Sequence, residues 1–413
     1  MVIRQVVILF VAMMWTLPAL ADVPVLDNPT QAPAHRDIVM TEVWRIGDDD
    51  AESFILGVVQ RVLSDDTGNI YLLDTQQSEV FKFSPDGEYL KSVSRKGEGP
   101  GEIGRCYFFG LWDSETIACF SNFPHKFVRF DLEGIPVASL TPSPGEAQKN
   151  DGRMAMSSFI RRDGFLVAQG SFFLFKDGAQ SQKFFLSGFN DEAEETYCYG
   201  KVKTGYDFTR PIVVDDEADF LPLRRWTLGR NGEIYTAPHR TKYLIEVHDT
   251  QGNLLRRIVR QWPLIKRTAE EKIQAKNGYT FGVSGNNNKM PEISFKISDY
   301  APTIGSLNWH DDQLWVTTGG TKKIEAEGYR YLVDIFDGTG NLLESRSYQI
   351  PVDPENDRVF WLDGGRAIVV KNYASAKVAS RSANTTVQTG DGTNKTAFED
   401  DFVLEVVLYK ASD

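Results

Sequence analysis

Two kinds of tight turn alternate down this chain of 413 residues, and their alternation restricts it to a repeated antiparallel architecture. The first is a short polar turn that opens into an apolar strand. It begins at Asp66, Asp113, Arg162, Arg230, Asp311 and Asp363, with runs such as Asp-Thr-Gly-Asn-Ile-Tyr and Arg-Asn-Gly-Glu-Ile-Tyr. The second is a hairpin turn, beginning at Ser84, Asp131, Asn190, Asp249 and Asp337. Four of these five carry glycine where a hairpin needs the left-handed backbone region. The sixth hairpin is missing.

Each pair of turns separates four β-rich runs. In the fourth unit they are 225–228, 233–236, 244–249 and 254–261. Four antiparallel strands repeated six times, with aromatic and β-branched residues on both faces, suit sheets stacked around an axis. An open solenoid would need polar capping units. Instead the last unit ends on 402–409, an almost wholly apolar run whose open edge would invite aggregation. A spare strand at 39–46 is predicted to cover it. The expected fold is therefore all-β, a six-bladed β-propeller of four-stranded antiparallel blades whose ring is closed by the N-terminal strand. The blades are expected near 55–94, 104–141, 154–200, 225–261, 304–350 and 358–410 plus 39–46, as one domain over 38–410 behind a tail at 22–37.

Arg4, the apolar run 6–17 and Ala19-Leu20-Ala21 read as a signal peptide over 1–21, cleaved after Ala21. The alternative is an uncleaved anchor, but the run is shorter than the ~20 residues of a membrane span. A periplasmic or secreted monomer with no membrane span is expected. A formal charge of -12 argues against nucleic acid, which needs clustered cations. The three cysteines make no framework. A hairpin pairing Cys119 with Gly110 leaves Cys106 four residues further along, so buried thiols are expected rather than a disulfide.

The first unit resembles the NHL-repeat type of six-bladed propeller, of the TolB-like superfamily. The resemblance rests on the Gly-x-Ile-Tyr strand, the Asp-Gly hairpin and the loop Gly97-Glu98-Gly99-Pro100-Gly101-Glu102. Pro124-His125-Lys126 and Pro238-His239-Arg240 resemble its His-basic link, with Pro in place of Asn. The likeness is strong over 58–141, fair over 225–261 and 304–350, and weak elsewhere. It implies the fold and leaves the function open.

Propeller strand order sorts the loops. First-to-second and third-to-fourth turns lie on one face; second-to-third links and blade crossings lie on the other. The long excursions 142–153, 201–224, 262–303, 318–328 and 373–400 all fall on the second face, which is the expected contact surface. Within them, Thr268 and the helix formers after it predict a short capped helix. A turn is expected at 285–288. The segment 374–395 has few bulky apolar residues and is expected to be mobile rather than a packed lid.

The candidate binding residues on that face are Arg105, His125, Arg224, Arg225, His239, Arg240 and Tyr300. Arg forks recognise carboxylates and phosphates, and Arg95 and Lys96 belong to the same cluster. Pairing with Glu98, Glu102 and the acidic runs is the competing reading for all of these cations. His125 and His239 occupy equivalent links, but two imidazoles fall short of the usual three or four metal ligands. No metal or cofactor is expected. The glycine loop at 97–101 reads as a crossing turn rather than a phosphate cradle. The acidic runs at 48–50, 215–219 and 399–401 read as solvated charge. The expectation is a non-catalytic binding or scaffold propeller that engages a small molecule, glycan or protein. The alternative is a gluconolactonase-like metal-dependent hydrolase or lactonase in the central channel. That class holds a divalent ion with Glu, Asn and Asp on inner strands, where this chain offers Asn308.

Overall fold

The computed structural model describes residues 23–47, 54–104, 106–122, 124–143, 145, 153–176, 179–207, 210–277, 279, 281–283, 292–319, 322–324, 328–380, 386–388, 394–395 and 403–412. The signal peptide over 1–21, Arg105 and the turn at 285–288 lie outside them.

Strands dominate, in the order the turns predict. The first sheet runs Val59–Ser64, Ile70–Asp74, Glu79–Phe83 and Tyr89–Ser94; the second runs Cys106–Leu111, Thr116–Asn122, His125–Asp131 and Pro136–Leu140. The third comprises Arg153–Arg162, Phe165–Lys176, Ala179–Phe189 and Glu195–Asp207. The fourth has Trp226–Leu228, Ile234–Thr236, Leu244–His248 and Leu254–Arg260, the fifth Ile304–His310, Gln313–Thr318, Gly328–Phe336 and Leu342–Ile350. Arg358–Leu362, Arg366–Val370 and Val406–Ala411 begin a sixth group. Successive strands within each group pair antiparallel.

The hairpin turns owe their shape to the side chain that opens them as much as to glycine. Asp131 Oδ1 accepts the amides of Glu133 at 2.9 Å and Ile135 at 2.7 Å. Asp249 Oδ1 accepts those of Gln251 and Asn253, both at 2.8 Å, and Asp337 repeats the pattern with Thr339 and Asn341, both at 2.9 Å. Ser84 and Asn190 do the same with one oxygen each. This side-chain mimicry of a backbone turn explains why Asp, Asn and Ser lead the motif.

Six buried clusters fill the spaces between successive sheets. Residues of the first and second sheets share one, the second and third another, and so on to the fifth and sixth. The sixth cluster packs Ile70, Leu72 and Phe83 of the first sheet against Ile368, Val370 and Leu408 of the last group. The leading strands follow the same order: Val59–Ser64 adjoins Cys106–Leu111 on one side and Arg358–Leu362 on the other.

The N-terminal segment is more than a tail. Val25–Asn28 adds a parallel fifth strand to the fourth sheet, beside Leu254–Arg260. His35–Ile46 then divides its pairing: residues to Val39 run parallel to Leu342–Ile350, and those from Met40 pair antiparallel with Val406–Ala411. This strand fuses the fifth and sixth groups into one nine-stranded sheet, so strand counts are uneven from sheet to sheet.

Three expectations need correction. Cys106 and Cys119 form a disulfide with Cα atoms 5.8 Å apart. Cys119 sits opposite Phe109, not Gly110, and a bulge at Tyr107 sets Cys106 opposite Ser121, two residues from Cys119 instead of four. A bulge leaves no trace in sequence spacing. The crossing expected at 201–224 starts later, because the third sheet's last strand continues to Asp207 against Ala179–Phe189. The segment expected to be mobile over 374–395 contains structure: Tyr373–Ala379 is helical, and Thr386–Gln388 pairs with Phe281–Val283. Among the described residues no helix is long and apolar enough to cross a membrane.

Candidate functional site

Three of the five long excursions join one another into a layer. Ile212–Asp215, between the third and fourth sheets, pairs parallel with Ile293–Lys296, between the fourth and fifth. Phe281–Val283 of that second excursion pairs with Thr386–Gln388 from the sixth group. The helix Ala269–Asn277 forms as its sequence predicts. Thr268 Oγ1 accepts the Glu271 amide at 3.2 Å, and Glu271 returns a carboxylate to the Thr268 amide at 2.7 Å. Gln274 on this helix donates to Glu355 at 2.8 Å.

The centre of the layer is Asp216. Its Oδ2 accepts from Arg240 at 2.7 Å and from Arg267 at 2.6 Å, and its Oδ1 accepts from the Tyr279 hydroxyl at 3.2 Å. Ser298 Oγ accepts from Arg240 and donates to Glu217 at 2.7 Å. Burial pushes the Asp216 carboxyl up, but the hydrogen bond and charge of Arg267, with the charge of Arg240, hold it below the ordinary carboxylate range. The acidic run at 215–219 is therefore a structural hub and not simply solvated charge. Arg240, 8% exposed, belongs to that hub, so its fork is already committed inside the protein.

Arg225 differs. Its Nε donates to the Ile304 carbonyl at 2.6 Å and its guanidinium lies 4.5 Å from the Phe220 ring centroid, with no carboxylate partner among the described residues. Burial first, then the charges of Arg240 and Arg224, push it down to about 10. Arg224, His239 and Tyr300 are exposed, Tyr300 near the end of the 262–303 excursion. Arg224, Arg225, His239, Arg240 and Tyr300 thus come from the same few crossings and links. His125 opens the third strand of the second sheet, with the third sheet between it and His239. Arg95 pairs with Glu102 at 3.3 Å, and Glu102 also accepts the Gly99 amide at 3.0 Å. The glycine loop therefore closes on the chain's own carboxylate. Gly101, at φ +72°, fits where a Cβ would meet Pro136 at 2.6 Å.

Two further arginines escaped the sequence reading. The leading strands of all six groups carry five arginines and one histidine but not one Asp or Glu, in a chain with more acidic than basic residues. Asn308 there donates to Ser306 at 3.2 Å. Arg61 in the first sheet is largely buried, its Cζ 4.3 Å from the Phe108 ring centroid, and its Nε is buried with no partner among the described residues. Burial and then the nearby Arg358 charge push it down to about 9, and it keeps its proton at neutral pH. Arg358 in the sixth group donates to the Tyr373 hydroxyl at 2.8 Å, which donates to Gln60 at 2.7 Å. The available signal was that each is the one charged residue of its leading strand. Among the described residues no three His, Cys, Asp or Glu gather as a metal site.

No curated protein matches the sequence. Among solved structures, the chain is similar to a Bacteroides fragilis protein described as exported, with 10% identity over 94% of this chain and 100% of that one, at a TM-score of 0.45. It is similar also to regucalcin, a calcium-binding protein from Agrobacterium tumefaciens, with 10% identity over 91% and 96% and a TM-score of 0.39. A third is virginiamycin B lyase from Staphylococcus aureus, with 10% identity over 89% and 98% and a TM-score of 0.34. One family model, DUF5128, described as a 6-bladed beta-propeller, matches residues 49–142, the stretch that holds the first and second sheets.

Proposed function

We propose that this chain is an exported, non-catalytic binding or scaffold propeller of the NHL-like, TolB-like kind. Six blades stand in a ring closed by Met40–Ile46, and the face with the long loops engages a small molecule, glycan or protein. One observation carries the reading: excursions from three separate places in the chain are stitched to each other by strand pairing, on Asp216, into one layer. Loops that merely tolerate insertion have no reason to cohere in this way. The cyclic order of the buried clusters supports the ring. The Cys106–Cys119 disulfide supports an oxidising compartment, as export past Ala21 requires.

In this reading Arg224, Arg225, His239 and Tyr300 offer contacts, Arg240 holds the layer together, and His125 extends the surface towards the second blade. The test is capture of partners from the exported fraction by the wild-type protein and by a version in which 374–400 is replaced with a short linker. Capture lost with the melting temperature held supports the reading. Equal capture by both folded proteins would refute it.

A further inference from the structure

The leading strands of the first and sixth sheets adjoin, and they bring Arg61 and Arg358 to one place. Gln60, next to Arg61, is linked to Arg358 through the Tyr373 hydroxyl. Neither guanidinium meets a carboxylate among the described residues. What they meet are rings. Arg61 lies over Phe108 at 4.3 Å, and Arg358 lies 5.0 Å from Phe360 and 5.0 Å from Tyr373.

An aromatic ring covers the face of a guanidinium and leaves its in-plane N–H groups for other partners. Those edges are what grip an oxyanion bidentately. Two like charges, partly buried and without a carboxylate partner among the described residues, are costly to hold together. An anion entering between them removes that cost. We propose that Arg61 and Arg358 form the cationic half of an oxyanion site, taking the carboxylate or phosphate group of a small molecule whose remaining body lies against Phe108 and Phe360. The proposal rests on the binding reading above and names the chemistry of the ligand. The absence of acids from all six leading strands fits it, because no built-in carboxylate there competes for the site. The acidic runs at 48–50 and 399–401, with several single acids, lie outside the described residues.

The test uses the full chain, with sodium phosphate and sodium benzoate as probes and sodium chloride at matched ionic strength as reference. Binding is read by titration calorimetry and by the melting temperature. One or both oxyanions should raise the melting temperature above the chloride reference, and which of them does so assigns the group as phosphate or carboxylate. Arg61→Met and Arg358→Met should each weaken that binding at least about tenfold. Lys410→Met, an exposed charge on the strand Val406–Ala411, should stay within about twofold. Without ligand, Arg61→Met should melt at or above the wild-type temperature, since it removes an uncompensated buried charge. No oxyanion effect beyond chloride overturns the proposal. So does an Arg61→Met variant that melts far below wild type, which would mean that a carboxylate of the chain already pairs with Arg61. Partner capture that persists without oxyanion binding overturns the ligand class alone. Oxyanion binding with no loss of capture in the loop-replaced protein overturns the loop-face reading alone.

Discussion

Two buried arginines of this molecule stand in opposite circumstances. Arg260 and Asp334 are almost fully buried and paired across the fourth and fifth sheets. Asp334 also accepts from the Tyr243 hydroxyl at 2.7 Å and from Ser345. Arg260 donates to the carbonyls of Pro29 at 3.1 Å and Thr30 at 3.0 Å, and lies 4.7 Å from the Trp262 ring centroid. Its donors therefore serve the scaffold, pinning the N-terminal segment between two sheets. Arg61 has the ring and, among the described residues, no carboxylate. The same side chain is a fastening in one place and an open receptor in the other, and the difference is whether its hydrogen-bonding edge is satisfied from within.

The sharpest way to break this contrast is Asp334→Ala. It leaves Arg260 buried without its counter-charge and should cost about 3–5 kcal/mol in urea unfolding; a loss below about 1 kcal/mol would erase the distinction between the two arginines. Next comes the disulfide beside the open site. Replacing Cys106 and Cys119 with serine should cost about 3 kcal/mol for a loop of this size. It should also weaken oxyanion binding, because the bulge at Tyr107 sets the Phe108 wall.

Asp216→Asn tests the other ionic hub and should cost about 1–3 kcal/mol. Because the folded carboxyl titrates below its ordinary value of 3.8, its stabilisation is complete above that value and is lost as pH falls through the folded pKa. Wild type and variant should therefore differ in melting temperature at neutral pH and converge as the pH falls through the folded pKa. The smallest effect belongs to Thr268→Ala. It should remove about 1 kcal/mol from the helix Ala269–Asn277, visible as faster amide exchange there, with oxyanion binding unchanged.

The turns were legible because each is written in a few adjacent residues: Asp131, Asp249 and Asp337 shape their hairpins with amides two and four positions on. The Thr268 capping box was legible for the same reason. Features that depend on how distant segments meet were hidden. The bulge at Tyr107 shifts a register that spacing alone treats as regular. Asp216 reads as one acid among several, and becomes a hub only when Arg240 and Arg267 arrive from other segments. Arg61 and Arg358 lie almost three hundred positions apart, the kind of separation a hydrogen bond such as Tyr373 to Gln60 spans at |i−j| 313. That no acid accompanies them on the leading strands becomes visible only once those strands are compared as a set.

The split pairing of His35–Ile46 has a consequence for biogenesis. The first and second sheets draw on neighbouring stretches of chain and are free to assemble early, as local contacts favour. The edge of Val406–Ala411 is different, since its mate sits near the opposite end of the polypeptide. Its docking is a high-contact-order event that waits for everything between, which makes it the natural last step. Until it occurs the molecule presents a hydrophobic template to other chains, so a chaperone that shields nascent edges would find its clearest client site there.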